Sequence, residues 1–266
     1  MPSSSVFSVH PVPAFQDNYL WVIHKDSFAA VVDPGDAKPV LDYLSASALR
    51  LKAIICTHHH ADHVGGVEHL LDVLDLRGKI PVFGPATERI PVRSHALREG
   101  DRIVVPGIEL TLDVLDVPGH TVGHIAYFGQ GMLFCGDTLF ACGCGRLFEG
   151  TAAQMTASLA KLKRLPPETK VYCAHEYTMA NIKFAEAVEP DNGDLKLRKA
   201  FCAAKRHRNL PTVPSTINLE LATNPFLRWD QPAVQAAAAA RLKRDIGTNP
   251  APALVFGAIR EWKNNF

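Results

Sequence analysis

The run Thr57-His58-His59-His60-Ala61-Asp62-His63 sets four imidazoles and one carboxylate within six residues. Imidazole nitrogen and carboxylate oxygen are the donors that Zn²⁺ and other borderline divalent ions prefer. Such a cluster would be costly in a core and purposeless on a surface. Three single residues extend it: His120 in Val117-Pro118-Gly119-His120-Thr121, Asp137 in Cys135-Gly136-Asp137-Thr138, and His175 in Cys173-Ala174-His175-Glu176. Each follows an apolar, strand-like run and sits beside a turn signal. Alone, each would read as a turn or cap residue. Together the seven supply complete donor sets for two ions: one can be held by His58, His60 and His120, the other by Asp62, His63 and His175, with the two oxygens of Asp137 suited to bridge. Two adjacent ions lower the pKa of a shared water and polarise a carbonyl, so hydrolysis on them needs no side-chain nucleophile.

The remaining candidates near the cluster have competing readings. Asp33, in Val32-Asp33-Pro34-Gly35, either is a turn residue or hydrogen-bonds a ligand histidine. His59 falls between ligand positions and is expected to be structural. His124, four residues after His120, is expected to pack or to bond backbone. His10, His24, His69, His95 and His207 lack metal-like spacing.

Elements that could display these residues are legible. Short runs rich in β-branched and aromatic residues predict strands: Val6 to Val12, Tyr19 to Ile23, Phe28 to Val32, Ile54 to Cys56, Ile80 to Phe83, Ile103 to Val105, Ile108 to Val117, Ile125 to Phe128, Met132 to Cys135 and Val171 to Cys173. Helical spacing appears at Ala37 to Ala48, Val64 to Leu74 and Ala152 to Leu165, and again at Tyr177 to Val188, Leu195 to Arg208, Pro232 to Ile246 and Ala253 to Lys263. This predicts an α/β layered domain over 1–175 and an all-helical domain over 176–266. The charge divides there too: residues 1–175 carry 15 basic and 18 acidic side chains, net −3, and residues 176–266 carry 13 and 9, net +4. Lys196, Arg198, Lys199, Lys205, Arg206 and Arg208 read as a solvated helix face.

Composition sets the outer limits. With 266 residues, 47% apolar and 21% charged, the chain is long enough for a substantial core and is not disordered in type. A net charge of +1 gives no general case for nucleic acid or membrane partners. The N-terminus lacks a signal-peptide pattern, and no apolar run reaches the ~18 residues needed to span a bilayer. The six cysteines follow no disulfide framework, so buried reduced thiols and a cytoplasmic location are expected.

The motif Thr-His-x-His-x-Asp-His, with Pro-Gly-His-Thr, Gly-Asp, the terminal His175 and Val32-Asp33-Pro34-Gly35, resembles the metallo-β-lactamase fold superfamily over residues 1–175. The resemblance continues through Phe140 to Gly150 (FACGCGRLFEG), His175-Glu176-Tyr177-Thr178 with Asn181, Val188-Glu189-Pro190, Asn224-Pro225-Phe226-Leu227-Arg228 and Arg260-x-x-Lys263. Across the whole chain these segments are similar to the glyoxalase II, or hydroxyacylglutathione hydrolase, family. The resemblance implies an αββα sandwich with a C-terminal all-helical domain. It also implies a hydrolase that cleaves S-D-lactoylglutathione and related thioesters to a 2-hydroxy acid and glutathione, the second step of methylglyoxal detoxification.

Residue by residue, the resemblance assigns His58, His60 and His120 to one ion, Asp62, His63 and His175 to the other, and Asp137 to the bridge, with Asp62 and Asp137 the residues closest to the chemistry. Arg146, Phe148, Tyr177, Arg260 and Lys263 match positions that bind the tripeptide. Phe148 stands where many relatives carry Tyr, so one hydroxyl is missing. Two divalent ions are implied, zinc first, with iron or manganese as alternatives. The expected partner is a small glutathione thioester met by a monomer, with no nucleic acid and no membrane. The competing readings are a glutathione persulfide dioxygenase, an oxidoreductase that shares much of the histidine motif, and another hydrolase of the same fold.

Overall fold

A computed structural model describes residues 7–266. Strands β1 (Ser8–Ala14), β2 (Asn18–Lys25) and β3 (Phe28–Val32) form an antiparallel ribbon, which continues in parallel through β4 (Arg50–Ile55), β5 (Val82–Pro85) and β6 (His95–Leu97), giving a sheet in the order β1 to β6. β3 and β4 are buried along most of their length, which is why they read as unbroken apolar runs rather than alternating ones. A second set, β7 (Arg102–Val105), β8 (Leu110–Asp116), β9 (Ile125–Gly129) and β10 (Met132–Gly136), is an antiparallel meander. The Tyr127 hydroxyl on β9 donates to the Cys56 carbonyl at 2.9 Å, beyond the end of β4.

Helices α1 (Ala37–Ala46), α2 (Ala61–Val64) and α3 (Val67–Val73) belong to the same compact unit, which among the described residues runs to Asp116 and takes in 123–136. Asp36 caps α1, its side chain accepting from Lys38 N at 3.0 Å. Val40 and Leu44 of α1 and Val67, Leu70 and Leu71 of α3 pack with Leu20, Val22, Val31 and Ile54 of the first sheet in one core. The helix expected over Val64 to Leu74 is α3, which starts only at Val67; Gly65-Gly66 separate it from the short α2. A side chain at Gly66 would lie 2.5 to 2.6 Å from the backbone of Pro34, Asp36 and Ala37, so the chain turns where it touches the Asp33-Pro34-Gly35 turn. The first strand begins at Ser8, and Val6, with which it was expected to start, lies outside the described residues.

The second unit comprises residues 117–122 and 137–266. It holds the small hairpin β11 (Leu139–Phe140) and β12 (Gly143–Cys144), then α4 (Ala152–Leu162), β13 (Lys170–Cys173), α5 (Thr178–Val188), α6 (Gly193–His207), β14 (Ser215–Thr216), α7 (Ile217–Thr223), α8 (Pro232–Leu242) and α9 (Pro252–Asn264). Local signals explain the starts: a Thr151/Gln154 capping box on α4, Asn192 on α6, Thr216 on α7, and proline in the first turn of α8 and α9. Helix α7 is additional to the expected set, because seven residues carry too little periodicity to stand out.

The boundary expected between 175 and 176 falls inside this unit. The helical tail grips residues 140–144: Asn181 Nδ2 donates to Ala141 O (3.0 Å), Asn224 Nδ2 to Phe140 O (3.1 Å) and Gly143 O (2.9 Å), and Arg260 Nη1 to Cys144 O (2.9 Å). One expectation for α6 is corrected. Arg198 is not part of a solvated face but is 4% exposed, drawn inward by Glu220, 2.5 Å from its Nη2. All six cysteines are buried thiols, and among the described residues no helix is long and apolar enough to cross a membrane.

Candidate active site

In the first unit, β4 delivers the chain into the histidine run, with His60 extended (φ −62°, ψ 145°) ahead of α2, which carries Asp62 and His63. Asp33, buried and held at φ 49°, organises this run. Its Oδ1 accepts from Thr57 N at 2.7 Å. Its Oδ2 accepts from Thr57 Oγ1 at 2.7 Å and faces His63 Nδ1 at 3.1 Å. Of the two readings of Asp33, the structure therefore realises the contact with a donor histidine. Because Thr57 Oγ1 donates to Asp33, it is left to accept from His58 Nδ1, 3.1 Å away. Both histidines thus carry their proton on Nδ1 and present Nε2 as the electron-pair nitrogen.

The neighbours are also fixed. His59 Nδ1 lies 3.0 Å from Glu88 Oε2, and Glu88 Oε1 accepts from Gly123 N at 3.0 Å, so His59 is structural, as expected. His124 Nδ1 faces the Ile125 carbonyl at 3.0 Å and its ring stacks on His58 with centroids 4.5 Å apart. Asp62 Oδ2 accepts from Asn18 Nδ2 at 3.0 Å. Asn18 and Glu88 were not anticipated, since each lies about thirty or more residues from its partner and no spacing in the sequence links them. Gly35 is required by close approach, because a Cβ there would sit 1.8 Å from the carbonyl oxygen of Asp62.

In the second unit His120 follows Gly119, whose φ of 151° and contact with Met155 leave no room for a side chain. His120 Nδ1 faces the Arg146 carbonyl at 2.9 Å, again directing Nε2 outward. The two oxygens of Asp137 are divided between two histidines: Oδ2 is 3.4 Å from His120 Nε2 and Oδ1 is 3.3 Å from His175 Nε2. In the first unit the corresponding pairs are His58 Nε2 to His60 Nδ1 at 3.1 Å and His63 Nε2 to Asp62 Oδ2 at 3.5 Å. Ligands bonded at about 2.0 to 2.1 Å in a tetrahedron stand roughly 3.3 Å apart. All four separations fall at that value within a few tenths of an ångström, so the donor set fits divalent ions in both chemistry and spacing.

A cavity of about 410 Å³ in the second unit is lined by His120 and Asp137 together with Arg146, Phe148, Tyr177, Arg260 and Lys263. The sequence-predicted recognition residues of this unit are thus brought into one pocket with two of the donors. Tyr177 stacks flat on His175 (centroids 4.7 Å, 2°), and Phe148 sits edge-on to His120 at 5.2 Å. Arg260 is buried against the Phe226 ring at 5.1 Å, and Lys263 Nζ donates to Ala180 O at 3.2 Å. Burial, with Arg260 nearby, pulls the Lys263 ammonium down to about 8. The pocket therefore offers cations and aromatic faces beside metal-type donors.

Known proteins match along nearly the whole chain. Residues 14–175 match the profile of the metallo-beta-lactamase superfamily, and residues 176–266 match that of the hydroxyacylglutathione hydrolase C-terminus. The hydroxyacylglutathione hydrolase of Nitrosomonas eutropha is 54% identical over 261 residues, covering 98% of this chain and all of that protein. Among solved structures, ETHE1 from Myxococcus xanthus aligns with a TM-score of 0.63 at 25% identity, covering 97% of this chain and 98% of that one. TTHA1623, solved in a di-iron-bound form, aligns with a TM-score of 0.56 at 26% identity, covering 83% and 100%. The fold is the metallo-β-lactamase α/β sandwich with a helical C-terminal region, and the chain belongs to the hydroxyacylglutathione hydrolase family, whose members are thioester hydrolases.

Proposed function

We propose that the chain hydrolyses S-D-lactoylglutathione and related S-2-hydroxyacylglutathiones to the hydroxy acid and glutathione, as the second step of methylglyoxal detoxification. The observation that carries this reading is the second unit's pocket, which joins Arg146, Tyr177, Arg260 and Lys263 to the donors His120 and Asp137. We assign His58, His60 and His120 to one divalent ion, Asp62, His63 and His175 to another, and Asp137 to both, with zinc the first choice and iron or manganese the alternatives. Ions held there would supply an activated water and a Lewis acid for the thioester carbonyl.

The chain's own side chains do the rest. Asp33 and the Arg146 carbonyl fix histidine tautomers, and Asp62, steadied by Asn18, would orient the water that such ions activate. Arg260 and Lys263 receive the glycine carboxylate of glutathione, and Tyr177 and Phe148 offer ring faces and one hydroxyl to the peptide. The glutathione thiolate leaves without a dedicated general acid. The recognition role of residues 176–266 supports a functional boundary at 175/176. We read the protein as a monomer, and the buried thiols suit a reducing cytoplasm. The C-terminal profile match favours the hydrolase over a persulfide dioxygenase.

The test is metal analysis of the purified protein coupled to loss of thioester absorbance with S-D-lactoylglutathione. Turnover in protein holding two ions per chain is expected. A preparation with two ions and no turnover would refute the assignment.

A further inference from the structure

The hairpin at Leu139 to Cys144 carries two walls of the pocket, Phe140 and Cys144, and leads straight into Arg146. Its tip, Cys142, is held at φ 56°, a conformation uncommon for a non-glycine residue. The groups that hold it lie on the tail. Glu220, fully buried on α7, accepts from Cys142 N at 2.8 Å and from Asn224 Nδ2 at 3.0 Å through Oε2. Through Oε1 it accepts from Arg198 Nη2 at 2.5 Å and from the Ser215 hydroxyl. Arg198 also donates to Thr223 Oγ1 at 2.5 Å, and Asn224 passes the constraint to the Phe140 and Gly143 carbonyls. Burial pushes the Cys142 thiol up to about 12, so it stays neutral and the charged pair here is Arg198 with Glu220.

Downstream, two carbonyls of the same segment are read by functional side chains. Cys144 O takes Arg260 Nη1, and Arg146 O faces His120 Nδ1. A shift of the hairpin would move a substrate cation and a metal-donor imidazole together.

We propose that Glu220, with its carboxylate on the Cys142 amide, is the positioning residue that sets the Leu139–Arg146 segment and through it the alignment of Arg260 and His120. It touches neither substrate nor ion. The inference rests on the thioesterase reading for its kinetic arm alone. Removing one member of the pair leaves the other charge buried, so the comparison uses double variants that discharge both. Arg198→Met/Glu220→Gln retains an amide oxygen for Cys142 N and an NH₂ for Ser215. Arg198→Met/Glu220→Met keeps the shape and has no acceptor.

With matched melting temperatures and metal contents, the Gln variant should hold KM for S-D-lactoylglutathione within about threefold of the parent. The Met variant should raise it at least tenfold and speed hydrogen exchange across residues 139–146 while leaving residues 18–32 unchanged. Should the Met variant fail to fold, Asn224→Ala, which removes the donors to Phe140 O, Gly143 O and Glu220 together with the acceptor for Phe226 N, should give the same faster exchange across residues 139–146. Equal KM values in both double variants, or unchanged exchange at 139–146, would overturn the proposal. An inactive parent would sink the thioesterase reading instead and leave the exchange comparison standing.

Discussion

Replacing Asp33 with Asn tests the organisation of the histidine run with a change of a single atom type. Three donors converge on the Asp33 carboxylate: Thr57 N–H on Oδ1, and the Thr57 hydroxyl and His63 Nδ1–H on Oδ2. An amide has one acceptor oxygen. If its NH₂ faces Thr57 N–H, a buried backbone donor loses its partner. If it faces His63, the imidazole must move its proton to Nε2 to accept, which removes the electron pair a metal would use. Each buried bond to a charged acceptor contributes about 1.5–3 kcal/mol, so the loss of one bond and weakening of another amounts to roughly 3 kcal/mol. For a chain of this size that lowers the melting temperature by roughly 6–12 °C. Metal affinity should fall about 10- to 100-fold, as when a partner orienting a ligand histidine is lost. Thermal unfolding of chelator-treated protein isolates the first effect, and competition with a chromophoric chelator measures the second. An Asn variant that melts with the parent and holds its ions equally tightly would refute the role given to Asp33.

Two further outcomes follow from the pocket. Lys263 titrates at about 8 against the usual 10.5, so its cation is lost as pH rises through about 8, and KM for the anionic thioester should climb between pH 7 and 9 while kcat changes less. The unfolded chain holds more protons than the folded one between about 8 and 10.5, so this group's contribution to stability rises with pH in that window, opposite in sign to its effect on binding. A flat KM profile in the parent, or an unshifted one in Lys263→Arg, would count against Lys263 as a substrate cation. Phe148→Tyr restores a hydroxyl at an exposed pocket position and should lower KM by roughly fivefold, the worth of about 1 kcal/mol. An unchanged or higher KM means that no substrate acceptor lies within its reach.

What could be read in advance and what could not divide along physical lines. Donor residues at strand ends announce themselves because their types are expensive anywhere else, and the Gly, Pro and Asp beside them mark where each strand stops. Strands such as β3 and β4 were legible because burial on both faces leaves an unbroken apolar run. Asn18, which steadies Asp62, was illegible because a lone Asn at the head of a strand is an ordinary turn residue. Arg198 was misread because it lies on α6 among lysines and arginines that do face solvent, and the only sign of its burial is Glu220, two elements further on. Periodicity locates a helix, but a long-range partner decides which of its polar residues turns inward.

The placement of the hairpin in the tail's compact unit bears on how such a protein can be cut and recombined. A chain ended after His175 would retain all seven metal-type donors and still lack Asn181, Glu220, Asn224 and Arg260, the side chains that hold the 140–144 backbone. Grafting the tail onto another sandwich would transfer those side chains without the carbonyls they grip. The grip on the hairpin is therefore not portable as a C-terminal module. It exists only where the tail and residues 140–144 are present together.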